Sequence, residues 1–126
     1  MILIFGGVYQ GKLAYALQRF GANEADVYRC RDNSAEIPQN KKIIYEIDKW
    51  ILALLKNEAD VEQAMRQFID RSRDAAVICN DISCGVVPLD PVLRKWREAV
   101  GRSLAALSQN SDEVIRMFCS IPARIK

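Results

Sequence analysis

The sequence has 126 residues, half of them hydrophobic and 27% charged, with a formal net charge of +2. That is chain enough for one core and too little for two, so a single domain over residues 1–126 is expected. The small positive balance gives no case for nucleic acid or an anionic membrane. No apolar run approaches the ~20 residues of a membrane span, and "MILIF" lacks the basic region and cleavage site of a signal peptide, so a cytoplasmic protein is expected.

In chain order, "ILIF" (2–5) is a short continuous apolar run closed by Gly6-Gly7, the pattern of a buried parallel strand. Leu13, Ala16, Leu17 and Phe20 recur at helical spacing over 12–20, and Gly21 fits a C-cap. "ADVYRC" (25–30) suits a second strand. The polar stretch 31–42, with one proline, suits a loop. "IIYEI" (43–47) suits a third strand running into a helix, "DKWILALL", with Trp50 and Leu54 inward. A second helical pattern over 59–72 puts Val61, Ala64, Met65, Phe68 and Ile69 on one face.

"AAVIC" (75–79) is again a buried-strand run, followed by the loop "NDISCGVVPLD". A long helix fits 90–108, with Leu93, Trp96, Val100, Leu104 and Leu107 on one face and Pro91 in the tolerant first turn. "DEVIRMFCS" (112–120) completes the strands, and "IPARIK" reads as a short tail. Apolar strands alternating with helices predict an α/β fold, a mainly parallel sheet with helices on both faces.

"GGVYQGKL" (6–13) carries the most chemistry. It reads Gly-x-x-x-x-Gly-Lys between a strand and a helix, the frame of a phosphate-binding loop. The glycines let backbone N–H groups turn toward an anion. The helix adds its positive end, and Lys12 adds a point charge for the β- and γ-phosphates. A cation in the first turn opposes the helix dipole, a cost of about 0.3–1 kcal/mol that a bound anion would remove. A solvated lysine on a glycine-rich turn is the bland alternative. Gly6, Gly7, Gly11 and Lys12 are the candidate phosphate ligands. The residue after the lysine should be Ser or Thr, whose hydroxyl ligates magnesium. It is Leu13, which offers no oxygen and lies in phase with the core positions Leu17 and Phe20.

There are four cysteines, Cys30, Cys79, Cys84 and Cys119, with no C-x-x-C pair and no histidine. This argues against the usual zinc arrangements and for free, partly buried thiols. It also excludes, within this sequence, Ser-His or Cys-His catalysis and any covalent nucleotidyl-histidine.

Residues 77–126 resemble the adenosylcobinamide kinase / adenosylcobinamide-phosphate guanylyltransferase family of cobalamin biosynthesis. The family pattern runs V-x-N-E-V-G-x-G-I-V-P, F-R-D-x-x-G-R, A-D-E-V and S-G-I-P-x-x-x-K. Here stand Asn80-Asp81, Gly85-Val86-Val87-Pro88, Trp96-Arg97-Glu98 with Gly101-Arg102, Ser111-Asp112-Glu113-Val114, and Ser120-Ile121-Pro122 with Lys126. The opening "MILIFGGVYQGKL" is similar to the family's M-I-L-V-T-G-G-x-x-S-G-K-S. The resemblance implies a P-loop NTPase-like fold, GTP or ATP as ligand with or without Mg²⁺, a cobinamide-like small molecule as acceptor, and a homo-oligomer, often a trimer. It implies Asp81 as the carboxylate facing metal or transferred phosphate. Glu46, closing the middle strand, joins Lys12 and Asp81 as a catalytic candidate. Asn80, Arg97 and Arg102 are further binding candidates. Each also has an ordinary reading: Asp81 as an Asx turn, Glu46 as a strand-end surface residue, and the two arginines as solvated or salt-bridged groups.

The departures are as specific. The family passes guanylyl through a histidine between the first helix and the middle strand, in a region with an Arg-Pro…Trp segment. Here "CRDNSAEIPQN" occupies a much shorter region and holds no histidine. The expectation is therefore a nucleotide-binding protein of this type without histidine-borne guanylyl transfer, its kinase step impaired by Leu13. The alternative is a non-catalytic nucleotide-sensing or interaction protein with a degenerate loop.

Overall fold

The computed structural model describes residues 1–82 and 89–126. Cys84 and the Gly85-Val86-Val87-Pro88 motif lie outside the described residues. The elements run β1 (Ile2–Gly6), α1 (Lys12–Phe20), β2 (Val27–Arg29), β3 (Ile43–Tyr45), α2 (Ile47–Lys56), α3 (Val61–Arg71), β4 (Ala76–Asn80), α4 (Pro91–Asn110), β5 (Glu113–Phe118) and β6 (Ile121–Arg124). One sheet takes the order β2-β3-β4-β1-β5-β6. Every pairing is parallel except β5 with β6.

The strands are apolar on both sides because both sides are covered. Leu3, Ile44, Val77 and Val114 turn toward α2, α3 and α4, meeting Trp50, Ile51, Phe68, Val100 and Leu107. Ile4, Ile43, Ile78, Ile115 and Met117 turn the other way, under α1, the one helix that packs there among the described residues, through Ala16 with Leu13, Leu17 and Phe20 at the margin. Each fully buried aliphatic or Phe side chain contributes about 1.5–3 kcal/mol. The predicted inward faces of α2 and α3 are the observed ones. On α4 the face is shifted: Val100, Ser103 and Leu107 are buried, whereas Leu93 is exposed. The first turn of α4 is capped by Asp90 through the N–H groups of Val92 and Leu93.

Three expectations change. The second strand is shorter, because a 3₁₀ turn at Glu24–Asp26, closed by an Asn23–Asp26 capping box, uses its first residues. Glu46 adopts a left-handed conformation (φ 60°) that stops β3 at Tyr45 and starts α2 at once. The tail is not a tail: Ile121–Arg124 is an antiparallel edge strand. A two-residue turn with positive φ at Cys119 (51°) and Ser120 (62°) brings it back along β5. Such turns normally advertise themselves with Asn or Gly, and here neither is present. Pro122 is tolerated because an edge strand has N–H groups to spare. Cys30 and Cys79 are buried free thiols, and Cys119 is an exposed one.

The centre of the sheet fixes the start of the glycine loop. Gly6 has φ 154°, and a Cβ there would lie 2.4 Å from the Met117 carbonyl oxygen. At Gly7 the nearest atom to such a Cβ is Gln10 Cγ at 3.6 Å. Gly6→Ala is therefore expected to destabilise the fold by roughly 2–4 kcal/mol, and Gly7→Ala by less than about 1 kcal/mol. Urea unfolding of the two variants checks this, and equal costs would contradict the packing described.

Candidate nucleotide-binding cleft

The cleft is built at the carboxyl ends of β1, β3 and β4. Leaving β1, the chain turns through residues 7–11 and enters α1 at Lys12. Tyr9 has φ 61° and is 98% exposed, at the tip of the turn. Gly11 (φ 81°) is the N-cap of α1, and no side chain caps the helix or places an acid in its first turn. Its positive end is thus left for an outside anion. The β5–β6 turn braces the loop: Cys119 N–H donates to Gln10 Oε1, and Ser120 Oγ sits 2.8 Å from where a Cβ on Gly11 would be.

Lys12 is only 4% exposed, so the solvated-lysine alternative does not describe it. Its ammonium donates to the Gly7 carbonyl, folded back inside the loop. Burial pulls the Lys12 pKa below the ordinary lysine value, and the nearby acids, Asp48 ahead of Glu46, act to push it back up. Asp48, in the first turn of α2, is 1% exposed. Its Oδ1 accepts from Asn80 N–H (3.1 Å) and its Oδ2 from Asn80 Nδ2 (3.4 Å). Burial raises its pKa, and the Asn80 backbone bond leads the effects that lower it. Trp96 Nε1 donates to the Asp48 carbonyl oxygen (2.7 Å). Lys49 stands 5.7 Å from the Trp96 ring.

A cleft of about 480 Å³ takes its walls from the loop, from Lys12 and Leu13, from Glu46 and Asp48, and from Asn80, Ile82 and Trp96. Glu46 Oε1 lies 3.3 Å from Arg29 Nε, and the Arg29 guanidinium stacks 4.9 Å over Tyr45. Leu13 is half-buried; it packs at the margin of the α1 core and also lines the cleft. Asp81 is half-buried beside Asn80, and its N–H donates to the Gly6 carbonyl (2.8 Å), which seats it where the loop begins.

Gly11, Lys12, Glu46 and Asn80 therefore share one cleft, whereas Gly6, Gly7 and Asp81 are not among the residues that line it. Arg97 is half-buried next to Trp96 on α4. Arg102 is exposed and lines a different groove, about 790 Å³, between α3 and α4. Sequence reasoning missed Asp48. Its one signal is a carboxylate two residues beyond Glu46, which reads equally as an ordinary first-turn acid. Among the described residues no group of three or more His, Cys, Asp or Glu is placed to hold a metal, and no described helix is long and apolar enough to cross a membrane.

A central parallel strand feeding a glycine-lysine loop into a helix defines the P-loop NTPase-like class, and this chain has that fold. The family model for cobinamide kinase / cobinamide phosphate guanyltransferase matches residues 31–125, three quarters of the sequence, and the chain belongs to that family. The match begins after the loop, so it covers Glu46, Asp48, Asn80 and the C-terminal strands but not the glycines. Membership places the chain among nucleotide-binding proteins of cobalamin biosynthesis. No curated protein matches the chain.

The buried amine has a thermodynamic signature. A lysine whose folded pKa is lowered binds fewer protons folded than unfolded in the window below 10.5. Stability therefore rises with pH through that window. Lys12→Met is expected to remove this rise. Urea unfolding of both proteins between about pH 7 and about pH 10.5 checks it, and parallel stability curves would contradict the burial of a titrating amine.

Proposed function

We propose that this chain binds a nucleoside triphosphate, GTP or ATP, by its phosphates in the loop of residues 6–12. The observation that carries the reading is Lys12: an almost wholly buried ammonium turned onto the Gly7 carbonyl, at the uncapped positive end of a helix. An unliganded cation there is costly, and a phosphate is the group whose charge offsets it. Gly6, Gly7 and Gly11 shape the loop. Asp81 is the carboxylate proposed for metal or transferred phosphate, and Glu46 is the proposed proton acceptor. Asn80 holds the cleft floor. Arg97 and Arg102 are retained as binding candidates on family grounds alone, as are a cobinamide-like acceptor and a homotrimer.

A magnesium ion bound with the nucleotide would neutralise phosphate charge, and Asp81 is the residue proposed to hold it. The loop fits the phosphates but does not supply the usual hydroxyl for the ion, because Leu13 takes that position. Without histidine in the sequence, guanylyl transfer through a covalent histidine is not part of the proposal. Leu13 favours a second reading from another class: a protein that holds nucleotide and senses it without turnover.

Calorimetric titration with GTP and ATP, each with and without Mg²⁺, tests the proposal. Micromolar binding, about −8 kcal/mol, is expected. Lys12→Ala should lose roughly 1.5–3 kcal/mol of it, the worth of charged hydrogen bonds. No binding to either nucleotide would remove the reading. Leu13→Ser separates the two classes. If the remaining site is catalytic, magnesium-dependent nucleotide turnover should rise about tenfold or more; unchanged turnover favours the sensing protein.

A further inference from the structure

Between Gly7 and the helix N-cap Gly11 the loop carries three side chains. Val8 has no polar atom, and Tyr9 stands in solvent at the tip. Gln10 is half-buried and lines the cleft. Its Oε1 accepts from the Cys119 N–H in the β5–β6 turn. A main-chain N–H only donates, so the oxygen of the carboxamide has to face Cys119 and the NH₂ group has to face the other way. There it meets Gly7: Cγ and Nε2 of Gln10 stand 3.6 Å and 3.8 Å from where a Cβ on Gly7 would be. Among the described residues nothing accepts from Nε2. Lys12 brings its ammonium to the same glycine, on the Gly7 carbonyl oxygen. Two side-chain donors that flank Gly11 in sequence thus converge on Gly7, beside the uncapped start of α1. Phosphate oxygens only accept, and hydrogen bonds to them are charge-assisted. A carboxamide supplies a donor without a second positive charge, which would oppose the helix dipole as Lys12 already does.

We propose that Gln10 is a phosphate-binding residue of the loop: the Cys119 N–H fixes its carboxamide so that the NH₂ group is presented, with Lys12, to the oxygens of a bound polyphosphate. The inference rests on the phosphate role proposed for the loop. It gives the β5–β6 turn a task as well, since the turn sets which end of the carboxamide the ligand meets.

The test is titration of the ¹⁵N-labelled full chain with inorganic triphosphate, followed on the glutamine side-chain NH₂ resonances, with those of Gln10 assigned by their loss in Gln10→Met. The Gln10 resonances are expected to shift, and their exchange with water to slow, as the ligand saturates. Those of Gln63, exposed on α3, should stay in place. Calorimetry with the same ligand gives a second readout. Gln10→Met, which keeps the length of the side chain and loses both polar groups, should bind at least about fivefold more weakly. Gln10→Glu keeps an oxygen for Cys119, and so the brace, but turns an acceptor toward the phosphate. It should match wild type in urea unfolding and bind more weakly still. If Gln10 only braces the loop, its NH₂ resonances and their exchange are unchanged at saturation, and that overturns the proposal, as does Gln10→Met binding with wild-type affinity. Should Gln10→Met fail to fold, Gln10→Glu carries the assignment and the affinity comparison, and undiminished binding there overturns the proposal equally. Wild-type protein that binds no triphosphate removes the phosphate reading of the loop and the Gln10 role with it; triphosphate bound with unmoved NH₂ resonances removes the Gln10 role alone.

Discussion

The arrangement depends on one buried charge. Lys12 stands at the junction of the central strand and the first helix, almost wholly buried as a residue, with its ammonium donating to the Gly7 carbonyl. A lysine kept only for solubility would lie outside, at little cost to either the helix or the core. Here the loop bends to offer Gly7 to the ammonium, and on the wall of the same cleft β4 ends in an asparagine that holds Asp48 of α2 in place.

The regular elements are legible in the sequence where periodicity is strong. Leu13, Ala16 and Leu17 on α1, and Met65, Phe68 and Ile69 on α3, fall on the faces that their spacing assigns. Legibility fails where a single backbone angle decides the matter. Nothing in "FCSIP" announces that Cys119 and Ser120 will both take positive φ, and without that knowledge β6 is invisible. The same holds at Glu46, whose left-handed φ moves the start of α2 toward the cleft. Period alone assigns Leu93 inward, yet it is exposed.

The site is half legible. Lys12 and the glycines are a motif, and a motif can be read without a structure. Asp48 is not part of one. Its importance comes from meeting Asn80, thirty-two positions away, and no local pattern encodes that meeting. Family membership adds the class of chemistry but not the detail, because the matched region starts beyond the loop and the histidine step has no residue to use. The glycine-lysine loop stands between strand and helix as its motif requires, and Leu13 occupies the position where that motif has a hydroxyl.

The brace between the loop and the β5–β6 turn also has a meaning in time. β1 lies in the interior of the sheet, and its hydrogen-bonding neighbours are residues 76–80 and 113–117. The loop beyond it takes its shape from Met117, Cys119 and Ser120. Long-range pairings of this kind form late, because the chain between them must be ordered first. The phosphate loop, though made of some of the earliest residues in the sequence, is thus completed by some of the last. A ribosome-bound chain that has not yet released residues 113–120 has the glycines and the lysine but not the contacts that shape the loop around them.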